Sequence, residues 1–326
     1  MKTITFFNNK GGVGKTTLVY HVAWMFQELE IDVVVMDLDP QANLTAAFLE
    51  EERLEELWSV GPHPETISGA VQPLLDHLGD LAEPPLEQIA AHLSLVPGDL
   101  ALSRYEDRLA EAWPRCLSGD ADAFRVTTAF YRAAVKAAEA RNANVVLLDV
   151  GPSLGALNRA ALVASDWVVM PLAADLYSLQ GLRNLGPTLR RWRDEWEKRK
   201  AESPSPQVVL PGGEMKPAGY VILQHAIRAD RPVKAYQRWA ARIPSSFHEE
   251  ILGEPSGTQV ARNDPHCLAN LRHYRSLMPL AQDARKPMFL LKAADGAIGG
   301  HAAAVAKCYE DFVNLAVKLL NVCDLP

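Results

Sequence analysis

Residues 8–17 read NNKGGVGKTT, with three glycines, two lysines and two threonines in ten positions. Glycine backbone lets N–H groups converge on oxygen ligands, and a helix starting behind such a loop adds a positive dipole end. Gly11, Gly12, Val13 and Gly14 would then cradle phosphates. Lys15 would reach the β- and γ-phosphates, the Thr16 hydroxyl would ligate Mg²⁺, and Thr17 would touch the α-phosphate. The string departs from the usual G-x-x-x-x-G-K-[ST] pattern. Asn9 stands where the first glycine belongs, and Lys10 precedes Lys15 by five residues.

Two further strings end apolar runs in carboxylates. VVVMDLDP carries Asp37 and Asp39, two residues apart and so on one face of an extended chain. VVLLDVGP carries Asp149 in the place of a Walker B carboxylate. A buried strand ending this way delivers negative charge to the sheet edge, beside a Mg²⁺ ion held by Thr16. One such aspartate is only a strand end. Three in this order after a glycine loop read as one nucleotide site.

Short strands and amphipathic helices must position these groups. TITFFN, DVVVMDLDP, NVVLLDVGP, DWVVMPLA and PAGYVILQ are apolar runs of the kind buried on both faces of a parallel sheet. Helical patterns such as TTLVYHVAWMFQELE, SLGALNRAALVA and SLQGLRNLGPTLRRWRDEW alternate with them. The alternation predicts an α/β fold, a doubly wound, mostly parallel sheet with helices on both faces and ligands at the strand C-terminal ends. We expect one domain over 1–326, with helical insertions at about 49–123 and 245–277. Residues 201–217, AESPSPQVVLPGGEMKP, read as a loop. The last helix, HAAAVAKCYEDFVNLAVKLLNV, is expected to pack on the sheet, because its polar face lacks the basic richness that lipid headgroups attract.

Four cysteines without a C-x-x-C pair argue against a disulfide framework or a zinc site and fit a reducing cytoplasm. No signal peptide or membrane-length apolar run is visible. The net charge of −7 is unevenly spread. Residues 183–286 hold 18 basic and 11 acidic side chains, and the remainder 15 and 29. Such asymmetry suits either a polyanion-binding face or a solvated helix face.

KGGVGKTT, DLDPQAN and LLDVGPSLGALNRAAL together resemble the ParA/MinD-type deviant Walker A ATPases, most closely the ParA partition branch. LVPGDLALSRYE and PLAADLYSLQGLRNL fit the same branch, and the resemblance covers about 1–184. It implies a P-loop NTPase fold and ATP hydrolysis with Mg²⁺ as cofactor. Lys10 matches the signature lysine that reaches the other subunit's site in an ATP-sandwiched homodimer, acting in trans like an arginine finger. Asp39 matches the residue that positions the attacking water, Asp37 a carboxylate near the Mg²⁺ shell, and Asp149 the Walker B residue. The loop 151–155 matches the segment that senses the γ-phosphate. Gly151-Pro152 replaces a usual pair of prolines, and Asn9 a common glutamine.

The resemblance also implies non-specific DNA binding, a ParB-like or other adaptor that stimulates hydrolysis, and a nucleoid-associated place in the cytoplasm. Candidate DNA contacts are Arg190, Arg191, Arg193, Arg228, Arg231, Arg242, Arg272, Arg275 and Arg285. Gln224, ending GYVILQ, has an amide that could read the adenine edge or cap a turn. No helix-turn-helix precedes the first strand, so operator-specific repression is not expected. DPHCLANLRHYR matches no zinc spacing and reads as a polar loop and helix start. The function expected is a partition or cargo-positioning switch; the alternative is a ParA-like regulatory or phage-defence ATPase that segregates no DNA. A metabolic ligase, an iron protein or a tyrosine kinase of related fold ranks below both.

Overall fold

The structure, a computed structural model, describes residues 1–204, 208–223, 233–255, 261–274 and 276–325. Gln224, Arg228, Arg231 and Arg275 lie outside the described residues.

The P-loop strand β1 (Lys2–Phe6) runs through the middle of an eight-stranded sheet. Beside it lie β5 (Val145–Asp149) and β6 (Trp167–Ala173). Beyond β5 come β2 (Val33–Asp37), β4 (Leu93–Val96) and β3 (Glu87–Ala90). Beyond β6 come β7 (Lys216–Leu223) and β8 (Cys267–Leu271). All neighbouring strands are parallel except β3 and β4. Chain order reverses direction at β1, so the P-loop opens at a topological switch point, where open α/β sheets bind ligands.

The apolar runs divide by alternation. Val34, Met36, Val146 and Leu148 face one layer, and Val33, Val35, Val145 and Leu147 the other. The first layer holds α4 (Ile67–Leu75), α5 (Tyr105–Arg115), α6 (Ala121–Thr127), α7 (Ala129–Arg141), α8 (Ala156–Val163) and α9 (Leu176–Ala201). The second holds α1 (Lys15–Glu28), α2 (Asn43–Phe48), α3 (Glu51–Leu57), α12 (Leu277–Ala284) and α13 (Gly300–Val322). Two short helices, α10 (Val233–Ala240) and α11 (Ile243–Ser246), lie between β7 and β8 in the chain. As expected, the last helix packs on the sheet, burying Cys308, Phe312, Leu315, Ala316 and Leu319.

Two expectations need correction. Residues 49–123 are not merely helical: β4 pairs with β2 from Val33↔Leu93 to Met36↔Val96 and extends the main sheet. Residues 245–277 likewise contain β8, parallel to β7, where DPHCLANLRHYR suggested a loop and helix start. Ser94 interrupts the apolar run of β4 and Asn270 that of β8, and polar or turn-forming neighbours hide both strands.

Candidate nucleotide site

Asn8 is buried and fastens the loop at both ends. Its Nδ2 donates to the Pro171 carbonyl at 2.7 Å, and its Oδ1 accepts from the Lys10 amide at 2.9 Å. Gly12 (φ 70°) and Gly14 (φ 86°) take left-handed backbone angles that a side chain would strain. Gly14 caps α1, turning that helix's free N–H groups toward the loop. A cavity of about 770 Å³ opens there, lined by Gly11, Gly12, Gly14, Lys15, Thr16, Thr17 and Asp39 among others. Burial lowers the Lys15 pKa, while Asp149 and Asp39 pull it back up. A buried ammonium facing two carboxylates suits a polyanionic ligand arriving with a divalent cation.

Asp37 and Asp149 end adjacent strands in register and are fully buried. Asp37 Oδ2 accepts from the Thr45 amide and hydroxyl, each at 2.8 Å, and the same hydroxyl accepts from the Gly98 amide at 2.7 Å. Burial pushes Asp37 up to about 7, against the Thr45 hydrogen bonds and with a further push from Asp39. Asp149 is raised well above the carboxylate range, first by burial and then by Asp37, while Thr16 and Lys15 oppose the rise. Neither Asp149 oxygen has a hydrogen-bond partner of normal geometry among the described residues. An orphaned carboxylate beside the Thr16 hydroxyl fits a Mg²⁺ ligand set.

Lys10, Asp37 and Asp149 do not line the cavity, whereas Asp39 does. Lys10 pairs with Asp175, the residue capping α9, and sits 5.6 Å from the Tyr177 ring centroid. The loop 151–155 closes over the same region. A Cβ on Gly151 would lie 3.3 Å from Asp39 Oδ1, and one on Gly11 would lie 3.9 Å from Pro152 Cγ.

A second, smaller cavity of about 220 Å³ adjoins the loop, lined by Val13, Leu18, Leu223, Leu271, Arg272, His273 and Tyr274 among others. Sequence reading missed this wall, together with Thr45 and Gly98. Val13 and Leu18 come from the loop and α1; the residues missed, among them Leu223, Leu271, His273 and Tyr274, come from β7, β8 and the segment after β8, with no shared spacing. Gly98 alone left a signal, in LVPGDL: a Cβ there would strike Asp37 Cγ at 2.7 Å.

The arginine candidates do not form one face. Arg285 lines the main cavity, bonded to the Leu49 carbonyl and Glu50. Arg272 lines the smaller one, 3.7 Å from Asp311. Arg190 and Arg193 on α9 donate to backbone carbonyls of Glu250 and Ile251, and of Glu214 and Met215. Arg191 is exposed, and Arg242 lies over Trp239. The candidates among the described residues are spread over both layers, α9 on one face of the sheet and the α12 region on the other.

A family model described as an AAA domain matches residues 1–201. Protein IncC of Escherichia coli is 32% identical over 195 residues, 60% of this chain and 47% of that one. The chromosome partitioning protein ParA of Myxococcus xanthus is 28% identical over 193 residues, 58% of each chain. The match thus spans about half the length of these relatives. A solved protein of Corynebacterium diphtheriae superposes with a TM-score of 0.69 at 25% identity, covering 99% of both chains. With its glycine loop at the switch point and paired aspartates at the ends of β2 and β5, the chain belongs to the AAA-domain family in its ParA-like, deviant Walker A branch.

Proposed function

We propose that this chain is an ATP-hydrolysing switch that forms an ATP-sandwiched homodimer, binds DNA without sequence preference and serves DNA partition or cargo positioning. The observation that carries it is the division of labour between two lysines. Lys15 faces the cavity from the loop, while Lys10 is held just outside it by Asp175. A lysine paired at the start of α9, beside exposed Leu176 and Tyr177, is suited to another copy's site. Leu154, Leu176 and Tyr177 are exposed apolar residues on the neighbouring loop and helix start, as a pairing surface requires.

Within the site, the bare amides of Gly12 and Gly14 and the ammonium of Lys15 bind and orient the phosphates. Thr16 and Asp149 would hold Mg²⁺, which when bound neutralises charge on the transferring phosphoryl group. Asp39 orients the attacking water from the cavity wall. Lys10 offsets developing charge from the partner side once it leaves Asp175. The names of the relatives, a chromosome partitioning protein among them, support the partition reading; the ParB-like adaptor is proposed with it. No helix among the described residues is long and apolar enough to cross a membrane.

Sedimentation of the protein with ADP or AMPPNP, with and without duplex DNA, tests this reading alongside an ATPase assay. We expect a dimer with AMPPNP only, and DNA retention that falls steeply as salt rises. A monomer in every state overturns the switch. Absence of DNA retention at low salt overturns the DNA-binding part.

A further inference from the structure

Helix α8 follows the loop 151–155 and begins without a cap of its own, since Gly155 stands at its N-cap position. The carboxylate that caps it comes from α5. Glu106 Oε1 accepts from the Ala156 amide at 2.5 Å, and Oε2 from the Leu157 amide at 2.8 Å. Two otherwise orphaned donors at the positive end of a helix are thus taken by one anion. Gly155 is the matching half of this contact, because a Cβ there would lie 2.4 Å from Glu106 Oε1.

The loop is tied to the same helix from inside. Asn158 Nδ2, on the first turn of α8, donates to the Gly151 carbonyl at 2.7 Å and the Ser153 carbonyl at 2.6 Å. The front of the loop lies beside Asp39 and Gly11, since a side chain on Gly151 would crowd Asp39 Oδ1 and one on Gly11 would meet Pro152. The chain of contacts therefore runs from Glu106 to the first turn of α8, through Asn158 to the loop, and from the loop to Asp39. The far end of α5 is itself anchored. Trp113 Nε1 donates to Glu195 of α9, and the guanidinium groups of Arg159 on α8 and Arg199 on α9 lie 4.4 and 4.1 Å from the Trp113 ring centroid.

We propose that Glu106 is a positioning residue for the hydrolysis site, fixing α8 so that the loop 151–155 meets Asp39 and Gly11 in register. The inference rests on the ATPase reading above. A carboxylate that only stabilised α8 would change the melting temperature and leave turnover alone. One that sets the loop would change kcat while ATP binding, which depends on Lys15 and the glycine amides, stays intact.

The experiment compares the unsubstituted protein with Glu106→Ala and Glu106→Gln in two arms. Hydrogen exchange of the nucleotide-free protein should show faster deuteration of the peptide spanning 150–163 in Glu106→Ala, with the peptides of α1 unchanged. Steady-state kinetics should show kcat lowered about tenfold with KM for ATP within about twofold, Glu106→Gln falling less. Added acetate should restore part of the Glu106→Ala rate by entering the vacated helix end. Unchanged exchange, or faster exchange with unchanged kcat, overturns the proposal; Glu106→Gln decides it if Glu106→Ala does not fold. Absence of turnover in the unsubstituted protein overturns the ATPase reading instead, and the exchange arm still judges the Glu106 contact.

Discussion

Residues 1–201 and 202–326 build the two cavities in different ways. The first part supplies the loop, Thr16, Asp37, Asp39 and Asp149, all from short contiguous strings at strand ends. The second part contributes Met278, Gln282, Arg285 and Met288 to the larger cavity, and Leu271, Arg272 and Tyr274 to the smaller. Phosphate recognition uses backbone amides and left-handed glycines, so its residues must be adjacent in the chain. A groove wall needs only side chains of suitable bulk, which can come from any element that passes. The family match covers residues 1–201, which include the loop and all three aspartates.

The sharpest way to break this contrast is Lys15→Ala. We expect hydrolysis to fall by more than about 100-fold and the thermal shift given by AMPPNP to vanish, because Lys15 is the cation carried by the glycine loop itself that lines the cavity. Asp39→Ala comes next. Turnover should drop by about 100-fold while AMPPNP binding persists and the dimer accumulates. Loss of binding in this variant would move Asp39 from the water to the phosphates.

The seam between the two parts is testable by pH. His21 on α1 is buried, its Nδ1 bonded to the Thr17 carbonyl at 2.7 Å and its Nε2 accepting from the Met288 amide at 3.1 Å. Burial lowers its pKa from 6.5 to about 4, against the Thr17 hydrogen bond. Between those values the unfolded chain binds the extra proton, so stability is full above pH 6.5 and is lost as pH falls toward 4. The loss is worth about 3 kcal/mol and should appear in urea unfolding measured across that range. A flat profile would mean that the ring is not held neutral against Met288.

The smallest effects separate two arginines on α9. Arg193→Ala leaves the Glu214 and Met215 carbonyls without their donor and should cost about 1–2 kcal/mol of stability. Arg191→Ala should change stability by less than about 0.5 kcal/mol and weaken DNA retention. Equal stability losses in the two variants would erase the distinction between a bracing and a surface arginine.

The site was legible wherever chemistry demanded adjacency. Gly12 and Gly14 announce left-handed backbone, and Asp37 and Asp149 announce strand ends, so both can be read from a string. Thr45 and Glu106 could not, because each acts on a partner 8 or 50 residues distant, and Gly98, 61 residues from Asp37, left only its place in LVPGDL. Of the five visible strands, β2, β5, β6 and β7 carry continuous apolar runs and β1 leads into the glycine loop, whereas Gln88 in β3, Ser94 in β4 and Asn270 in β8 interrupt theirs. Charge counting says least about position. Arg190, Arg193, Arg272 and Arg285 raise the local balance, yet each is engaged by the protein's own carbonyls or carboxylates.

Helix α9 has 26 residues, which at 1.5 Å per residue makes a rod of about 39 Å. Its first turn holds Lys10 through Asp175, and its last turns carry Arg199 against Trp113 on the opposite side of the molecule. Pro187 removes one backbone hydrogen bond a little under half-way along. Leu182 and Leu185 before it, and Leu189, Trp192 and Trp196 after it, are buried, so one packed rod joins the Lys10–Asp175 pair to the Trp113 cluster.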